Sequence, residues 1–213
     1  MKIVFYGYRD WSIDIFKSVI NCEKYLVTHN DFNCLKTIKP DLVFFIGWSE
    51  IVPKEIINTY TCICLHPSKL PKYRGGSPIQ HQIINGETES SVSFFIMDNG
   101  IDTGDIIEQN DFSLLGILDD IFNRIVNISI ESINKIINDY INNNITTYPQ
   151  DNTNSTFFKR RKPHESEITQ EEIKNKSAVY IYNKVRALSD PYPNAFIKCK
   201  GGEIIYIKEV EIK

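Results

Sequence analysis

Four short apolar runs set the limits on what this chain can fold into. Residues 2–7 read KIVFYG, Lys24–Thr28 read KYLVT, Asp41–Ile46 read DLVFFI and Thr61–Leu65 read TCICL. Each is rich in β-branched or aromatic residues and too short for a stable helix. The first and third are apolar at consecutive positions, as strands buried on both faces are. Helical spacing lies between them. Trp11–Cys22 carries Ile13, Phe16, Val19 and Ile20, Asp31–Ile38 reads as a brief helix or turn, and Pro53–Asn58 opens with a proline suited to a first helical turn. This alternation specifies an α/β chain with a Rossmann-like, mostly parallel sheet flanked by helices. The turn Gly7–Asp10 has one glycine and no G-x-G-x-x-G, so a dinucleotide fingerprint is absent.

Further along, Ser91–Met97 and Ile106–Phe112 read as strands, and residues 117–140 as the longest helix. Its stripe of Leu118, Ile121, Phe122, Ile125, Ile128, Ile133 and Ile136 belongs in a core, and Asp119 and Asp120 suit its N-terminus. Asn142–Asn154 is polar and reads as a connector. A helix over Ser177–Leu188 stops at Pro191 and Pro193. Ala195–Lys200 and Glu203–Lys213 straddle Gly201-Gly202, a two-residue hairpin signal. The expected division is 1–150 as the main domain and 151–213 as a C-terminal helix and β-hairpin appendage. The hairpin edge offers a surface through which two subunits could pair as a homodimer.

With 213 residues, 42% hydrophobic and 24% charged, the chain can bury a sizeable core. No apolar run reaches the length of a membrane span, and MKIVFYGYRDW lacks the features of a signal peptide, so a cytoplasmic protein without membrane contact is expected. A net charge of −3 with no dominant basic block argues against a long nucleic-acid footprint. Five cysteines, an odd number, argue against a disulfide framework. Cys62, Cys64 and His66 alternate and share one strand face. They can be read as metal ligands, but no fourth ligand is evident, and small buried core residues are the better reading; no metal is expected.

The densest chemistry lies between Cys62 and Asp105. A strand ends at Pro67, and a Pro- and Gly-rich loop with Lys72 and Arg74 follows. Ser77-Pro78 then reads as a helix N-cap and first turn, with the helix running to about Asn85 and ending at Gly86. After the strand Ser91–Met97 comes the acidic loop Asp98–Asp105. Two loops leaving strand ends would meet in the crevice above the sheet, one bringing an imidazole and the other a carboxylate.

The runs LHPSKLPKYRGGSPIQ and MDNGIDTGDI resemble the folate-dependent formyltransferases, whose pattern is Asn-x-His, Ser-x-Leu-Pro-x-x-x-Gly and Asp-x-Gly-Asp. The likeness is strong over residues 40–110 and looser elsewhere. VRALSDPYPNAF is most similar to the amino-sugar branch of that family. The resemblance implies a catalytic His66 and Asp102, with Cys64 standing where the family has its asparagine. It implies N10-formyltetrahydrofolate as co-substrate, with Trp48, Asp98, Gly100, Ile101 and Asp105 as folate contacts. Tyr8, Arg9 and Asp10 sit at the ligand end of the first strand and read either as loop solvation or as substrate contacts; for the acceptor the resemblance adds Lys72, Tyr73, Arg74, Gly75 and Arg186, and the cations of Lys159–Lys162 read either as a solvated face or as phosphate contacts. The expected reaction is formyl transfer to the primary amine of a nucleotide-linked amino sugar. The tRNA formyltransferases continue into a further β-barrel domain for which this chain is expected to have no sequence. A reduced methionyl-tRNA formyltransferase, and a weak folate- or nucleotide-binding protein, remain as alternatives.

The chemistry accounts for the residue types. An amine attacks a formyl carbon only when neutral, and a neutral His66 can take the proton that it loses. Asp102 favours the protonated imidazole through charge. An asparagine amide would donate to the developing oxyanion, a contribution often worth about 3 kcal/mol. A thiol is a weak donor, so Cys64 leaves that role to a backbone amide, His66 or water.

Overall fold

The computed structural model describes residues 1–213. Strand β1 (Lys2–Tyr6) is followed by α1 (Asp10–Ser18), β2 (Glu23–Val27), α2 (Cys34–Ile38), β3 (Leu42–Ile46), α3 (Lys54–Thr59) and β4 (Cys62–His66). The four strands pair in parallel in the order β2-β1-β3-β4, as the alternation of apolar runs and helices requires. Short β5 (Arg74–Gly75) and α4 (Pro78–Ile84) lead to β6 (Glu89–Ile96), β7 (Ile106–Ser113) and the long α5 (Leu118–Ile141). Strand β6 lies antiparallel beside β4, and β7 antiparallel beside β6, completing a six-stranded sheet.

Period-two alternation divides the strand side chains between two layers. Ile3, Phe5, Phe44, Ile63, Leu65 and Phe94 face α1, α4 and α5, and the α5 stripe Ile121, Ile125, Ile133 and Ile136 closes that core. Val4, Tyr6, Val43, Phe45 and Cys62 face the other way, against α2 and α3. The remaining elements are β8 (Phe157–Phe158), α6 (Gln170–Asn175), α7 (Ala178–Ala187), β9 (Phe196–Lys198) and β10 (Ile204–Tyr206). Strand β8 pairs in parallel with β5, and β9 and β10 form an antiparallel hairpin. No helix is long and apolar enough to cross a membrane.

Several local expectations change. Helix α1 stops at Ser18, where Val19 turns extended, so Ile20 leaves the apolar stripe and is 60% exposed. Ser77 has φ 54° and does not cap α4 with its side chain; its Oγ accepts instead from the Arg161 amide at 3.1 Å. The hairpin pairs Lys198 with Ile204 and its turn is closed by Cys199 N–H donating to Glu203 O, so the loop is longer than the two glycines. The polar connector is only partly a connector. Tyr148 bridges to Ile106, and Gln150 is buried between the acidic loop and Arg74.

The two loops expected to meet above the sheet do so by an indirect route. Because β4 and β6 run antiparallel, the acidic loop starts at the opposite end, where Met97 N–H donates to Cys62 O at 2.8 Å. His66 lies three residues past Ile63, the partner of Ile96, or about 10 Å along the strand. The loop turns back over that distance. Gly104 makes the return possible, since a Cβ there would stand 1.7 Å from Ile96 O. Asp98 Oδ1 accepts from Gly100 N–H and from the Thr103 hydroxyl, which closes the loop's first half.

Candidate active site

At the end of β4, His66 is 6% exposed. Its Nε2 is 2.8 Å from the carbonyl oxygen of Tyr73. A carbonyl can only accept, so Nε2 carries the proton and the neutral ring has its lone pair on Nδ1. Nδ1 lies 3.5 Å from Asp102 Oδ2. Imidazole base and carboxylate therefore meet on the same nitrogen, unlike a relay in which acid and substrate take opposite sides of the ring. A proton arriving at Nδ1 creates a cation directly beside a carboxylate. That carboxylate is itself placed, because Oδ2 accepts from the Gly75 amide at 2.8 Å. Asp102 has φ 54°, a left-handed conformation unusual for a residue with a Cβ, and so the surrounding bonds must hold it there.

Cys64 lies two residues before His66, on the same strand face. Burial pushes its thiol well above the ordinary value, and Asp102 and then Cys62 add to the effect. It remains a neutral thiol, with Sγ 3.6 Å from Leu65 O. Burial likewise pushes Cys62 up to about 12. No group of three or more His, Cys, Asp or Glu side chains is placed to hold a metal ion, so the metal-ligand reading of Cys62, Cys64 and His66 finds no cluster.

His66, Asp102 and Cys64 all line one cavity of about 630 Å³. Trp48, Asp98, Gly100, Ile101 and Gly75 line it too. Trp48 sits where β3 ends, edge-on to Tyr6 at 5.3 Å, with Val52, Ile57 and Met97 nearby on the same wall. The remaining expected residues lie elsewhere. Asp105 is exposed outside the lining, and its carbonyl accepts from Ile96 N–H. Tyr8 is at the rim, hydrogen-bonded to the Ser49 hydroxyl and edge-on to Trp48. Lys72 lies outside the lining and is tied into its loop by its backbone, its carbonyl accepting from Ser68 Oγ at 2.7 Å and its N–H donating to Lys69 O at 3.1 Å. Tyr73 stacks on Phe158 and donates its hydroxyl to Glu87, so its contribution to the site is its backbone carbonyl. Arg74 is buried against Gln150 and Asn152. Arg186 donates to the carbonyls of Leu114 and Gly116 and holds the turn into α5, away from the cavity.

The structure adds Trp11, Phe122 and Tyr192, and it brings Arg9, Lys159 and Arg160, candidates from outside the motif, to the same cavity. Arg9, Trp11, Phe122 and Tyr192 close the cavity on one side, with Trp11 stacked on Phe122 and Phe122 on Tyr192. Lys159 and Arg160 reach the cavity because β8 packs tightly on β5. A Cβ on Gly75 would lie 2.2 Å from Phe158 O, and one on Gly76 would lie 2.5 Å from the Arg160 backbone. The Arg-Gly-Gly run was the available signal: paired glycines mark a close approach of two backbones.

The formyl transferase family model matches residues 25–122, and the model of the formyl transferase C-terminal domain matches residues 168–213. The second match gives residues 168–213, expected as a helix and hairpin appendage, a counterpart in the family's C-terminal domain. The methionyl-tRNA formyltransferase of Caldicellulosiruptor saccharolyticus is 32% identical over 215 residues, covering 96% of this chain and 64% of that protein. That of a Nitratiruptor species is 32% identical over 171 residues, covering 77% of this chain and 52% of that protein. The chain thus spans between about half and two thirds of the length of these curated relatives. A 4-N formyltransferase from Francisella tularensis, at 21% identity and a TM-score of 0.78, shares the fold over 100% of this chain and 98% of its own. The solved methionyl-tRNA formyltransferase from Clostridium thermocellum superposes with a TM-score of 0.81 at 32% identity, covering 97% of both chains. A relative of that identity over nearly its full length, together with the two family matches, shows that the chain belongs to the formyltransferase family.

Proposed function

We propose that this chain transfers a formyl group from N10-formyltetrahydrofolate to the primary amine of a nucleotide-linked amino sugar. The observation that carries the reading is the His66–Asp102 pair in the cavity wall, with the lone pair of the neutral imidazole on Nδ1. The Trp48 end suits a reduced folate: apolar Val52, Ile57 and Met97 match a ring's faces, and the backbone of Asp98–Ile101 offers polar groups to its edge. A bound formyl-folate supplies the activated one-carbon unit. His66 Nδ1 takes the proton that the attacking amine loses, and Asp102 stabilises the resulting imidazolium. The leaving nitrogen of the donor needs one proton, so the same proton can be returned and the balance closes.

For the acceptor, the support is electrostatic. Arg9, Lys159 and Arg160 line the cavity, and none forms an ion pair with a carboxylate of this chain. Cations without protein partners suit a pyrophosphate. The net charge of −3 disfavours a long polyanion. A second reading, methionyl-tRNA as acceptor, is favoured by the names of the relatives at 32% identity. The deciding measurement offers formyl-folate with a panel of amino-sugar nucleotides and with methionyl-tRNA, read by mass for the gain of one formyl group. Formylation of the tRNA alone selects the second reading, and folate binding without any transfer leaves a binding protein.

His66→Ala and Asp102→Asn are each expected to lower kcat by at least about a hundredfold, as removal of a general base commonly does. Circular dichroism should show the fold retained. Near-normal turnover in both variants would remove the pair from the mechanism.

A further inference from the structure

Gln150 lies in the stretch between α5 and β8, 48 residues from Asp102 in sequence, yet its side chain reaches the acidic loop. It is 8% exposed. Its Oε1 accepts from Arg74 Nε at 3.1 Å and Nη2 at 2.5 Å, while its Nε2 donates to the carbonyls of Asp102 at 3.0 Å and Gly104 at 2.8 Å. The amide orientation follows from chemistry, because a guanidinium only donates and a carbonyl only accepts. Arg74 is fixed by a further bond to Asn152 Oδ1 at 2.7 Å. A buried chain in which both ends of the Gln150 amide are satisfied resists rearrangement.

The same stretch also fixes the other half of the pair. Thr156 Oγ1 accepts from Tyr73 N–H at 2.8 Å, and Thr156 O accepts from Arg74 N–H at 2.9 Å. Tyr73 is the residue whose carbonyl takes the Nε2 proton of His66. Residues 150–156 therefore brace both sides of the 3.5 Å gap between Nδ1 and Oδ2.

We propose that Gln150 is a positioning residue: by holding the carbonyls of Asp102 and Gly104 it keeps Asp102 in its left-handed conformation against His66 Nδ1, and so sets the geometry of proton transfer. The catalytic half of this statement rests on the reading of His66 and Asp102 as the reacting pair. Gln150→Glu separates holding Arg74 from holding the loop. A carboxylate keeps Arg74 bound but turns an acceptor towards two carbonyls, and the loop must move. Gln150→Asn keeps both chemistries with one methylene less reach.

The first measurement needs no substrate. The Gly75 amide donates to Asp102 Oδ2, so its hydrogen exchange reports whether the carboxylate is in place. In Gln150→Glu, Gly75 is expected to exchange at least about tenfold faster, while the Ile63 and Leu65 amides of β4 keep their protection. The same change, smaller, is expected in Gln150→Asn, which covers the case in which the Glu variant fails to fold. The second measurement is turnover on the acceptor identified by the panel. A displacement on the order of 1 Å costs about a hundredfold, so kcat should fall by roughly ten- to a hundredfold in Gln150→Glu. In an Asp102→Asn background the same change should cost almost nothing. Unchanged Gly75 exchange in both variants would overturn the proposal, as would an equal loss of rate in both backgrounds. Full activity of Asp102→Asn would sink the catalytic reading, and the exchange result would still decide whether Gln150 holds the loop.

Discussion

Cys64 is the residue at which the chain departs from its family's pattern, and its surroundings restrict what it can do. The thiol is half-buried in the cavity wall and held neutral beside Asp102, so it is neither a nucleophile nor a strong donor at ordinary pH. Amine attack on a formyl donor requires no enzyme nucleophile. The Gly75 amide is already bound to Asp102, so under the proposed reaction the oxyanion role falls to another backbone amide, to His66 or to water. Cys64→Ala and Cys64→Ser are therefore expected to stay within about tenfold of the native rate, roughly 1.4 kcal/mol of barrier. Cys64→Asn brings two donors and an acceptor into a space shaped for a thiol, and is expected to be neutral or slower. Steady-state rates on one accepted substrate decide the matter. A thousandfold collapse of both small variants would make the thiol a catalytic group, and a large gain in the Asn variant would mean that the native site lacks a donor it needs.

Between α6 and α7 a polar cluster ties two short helices together. Lys184, on α7, donates to both carboxylate oxygens of Glu172 at 2.7 and 2.9 Å and to Glu167 O at 2.6 Å. Glu172 also accepts from Thr169 N–H, closing the capping box of α6, and from Tyr180 Oη. Burial raises the Glu172 carboxyl, but the bonds from Lys184, Thr169 and Tyr180 outweigh it and hold the group below its ordinary value. A depressed carboxyl contributes stability above its unfolded value, about 4.3, and loses it as pH falls through the folded one. Glu172→Gln is expected to lower stability by about 2 kcal/mol near neutrality, less than a fully buried pair would because Glu172 keeps 19% side-chain exposure. Urea midpoints measured against pH should show the gap between native and variant constant above pH ~5 and closing below about 4. A gap independent of pH would mean that the charge contributes nothing. Elements of this kind were legible to different degrees. The parallel strands and the α5 stripe follow from apolar spacing alone, and the motif carries His66 and Asp102. The reversal of β6 was not legible, because a strand's direction depends on its neighbour and leaves no mark on its own alternation. Nor was Gln150, whose partners Arg74 and Asp102 are 76 and 48 residues away and whose own neighbours look like any polar connector.

Across the whole molecule, charge is distributed against its average. The net charge is −3, yet Arg9, Lys159 and Arg160 stand together around the cavity without carboxylate partners. Arg9 instead lies over the rings of Tyr8 and Tyr192, at 5.4 and 5.6 Å, which keeps its guanidinium extended at the rim. Lys159 and Arg160 are carried there by the β5–β8 pairing that the glycines permit. Glu50, Asp98 and Asp102 line the same cavity, so an anionic group of the proposed acceptor is expected beside these three cations and not throughout the cavity. Lys159→Glu combined with Arg160→Glu is expected to raise KM for the phosphorylated acceptor by about tenfold, the equivalent of 1.4 kcal/mol, with kcat little changed. KM for formyl-folate should stay near its native value, because the Trp48 end of the cavity is built from other residues. Screening gives an independent check. Raising ionic strength shortens the Debye length from about 8 Å at 0.15 M to about 3 Å at 1 M, so the native KM for the acceptor should climb with salt while that of the variant, whose carboxylates repel phosphate, should fall. An equal rise in KM for donor and acceptor would mean that the substitutions disturb the cavity as a whole, and no rise in either would leave Lys159 and Arg160 as solvated charges with no part in recognising the acceptor.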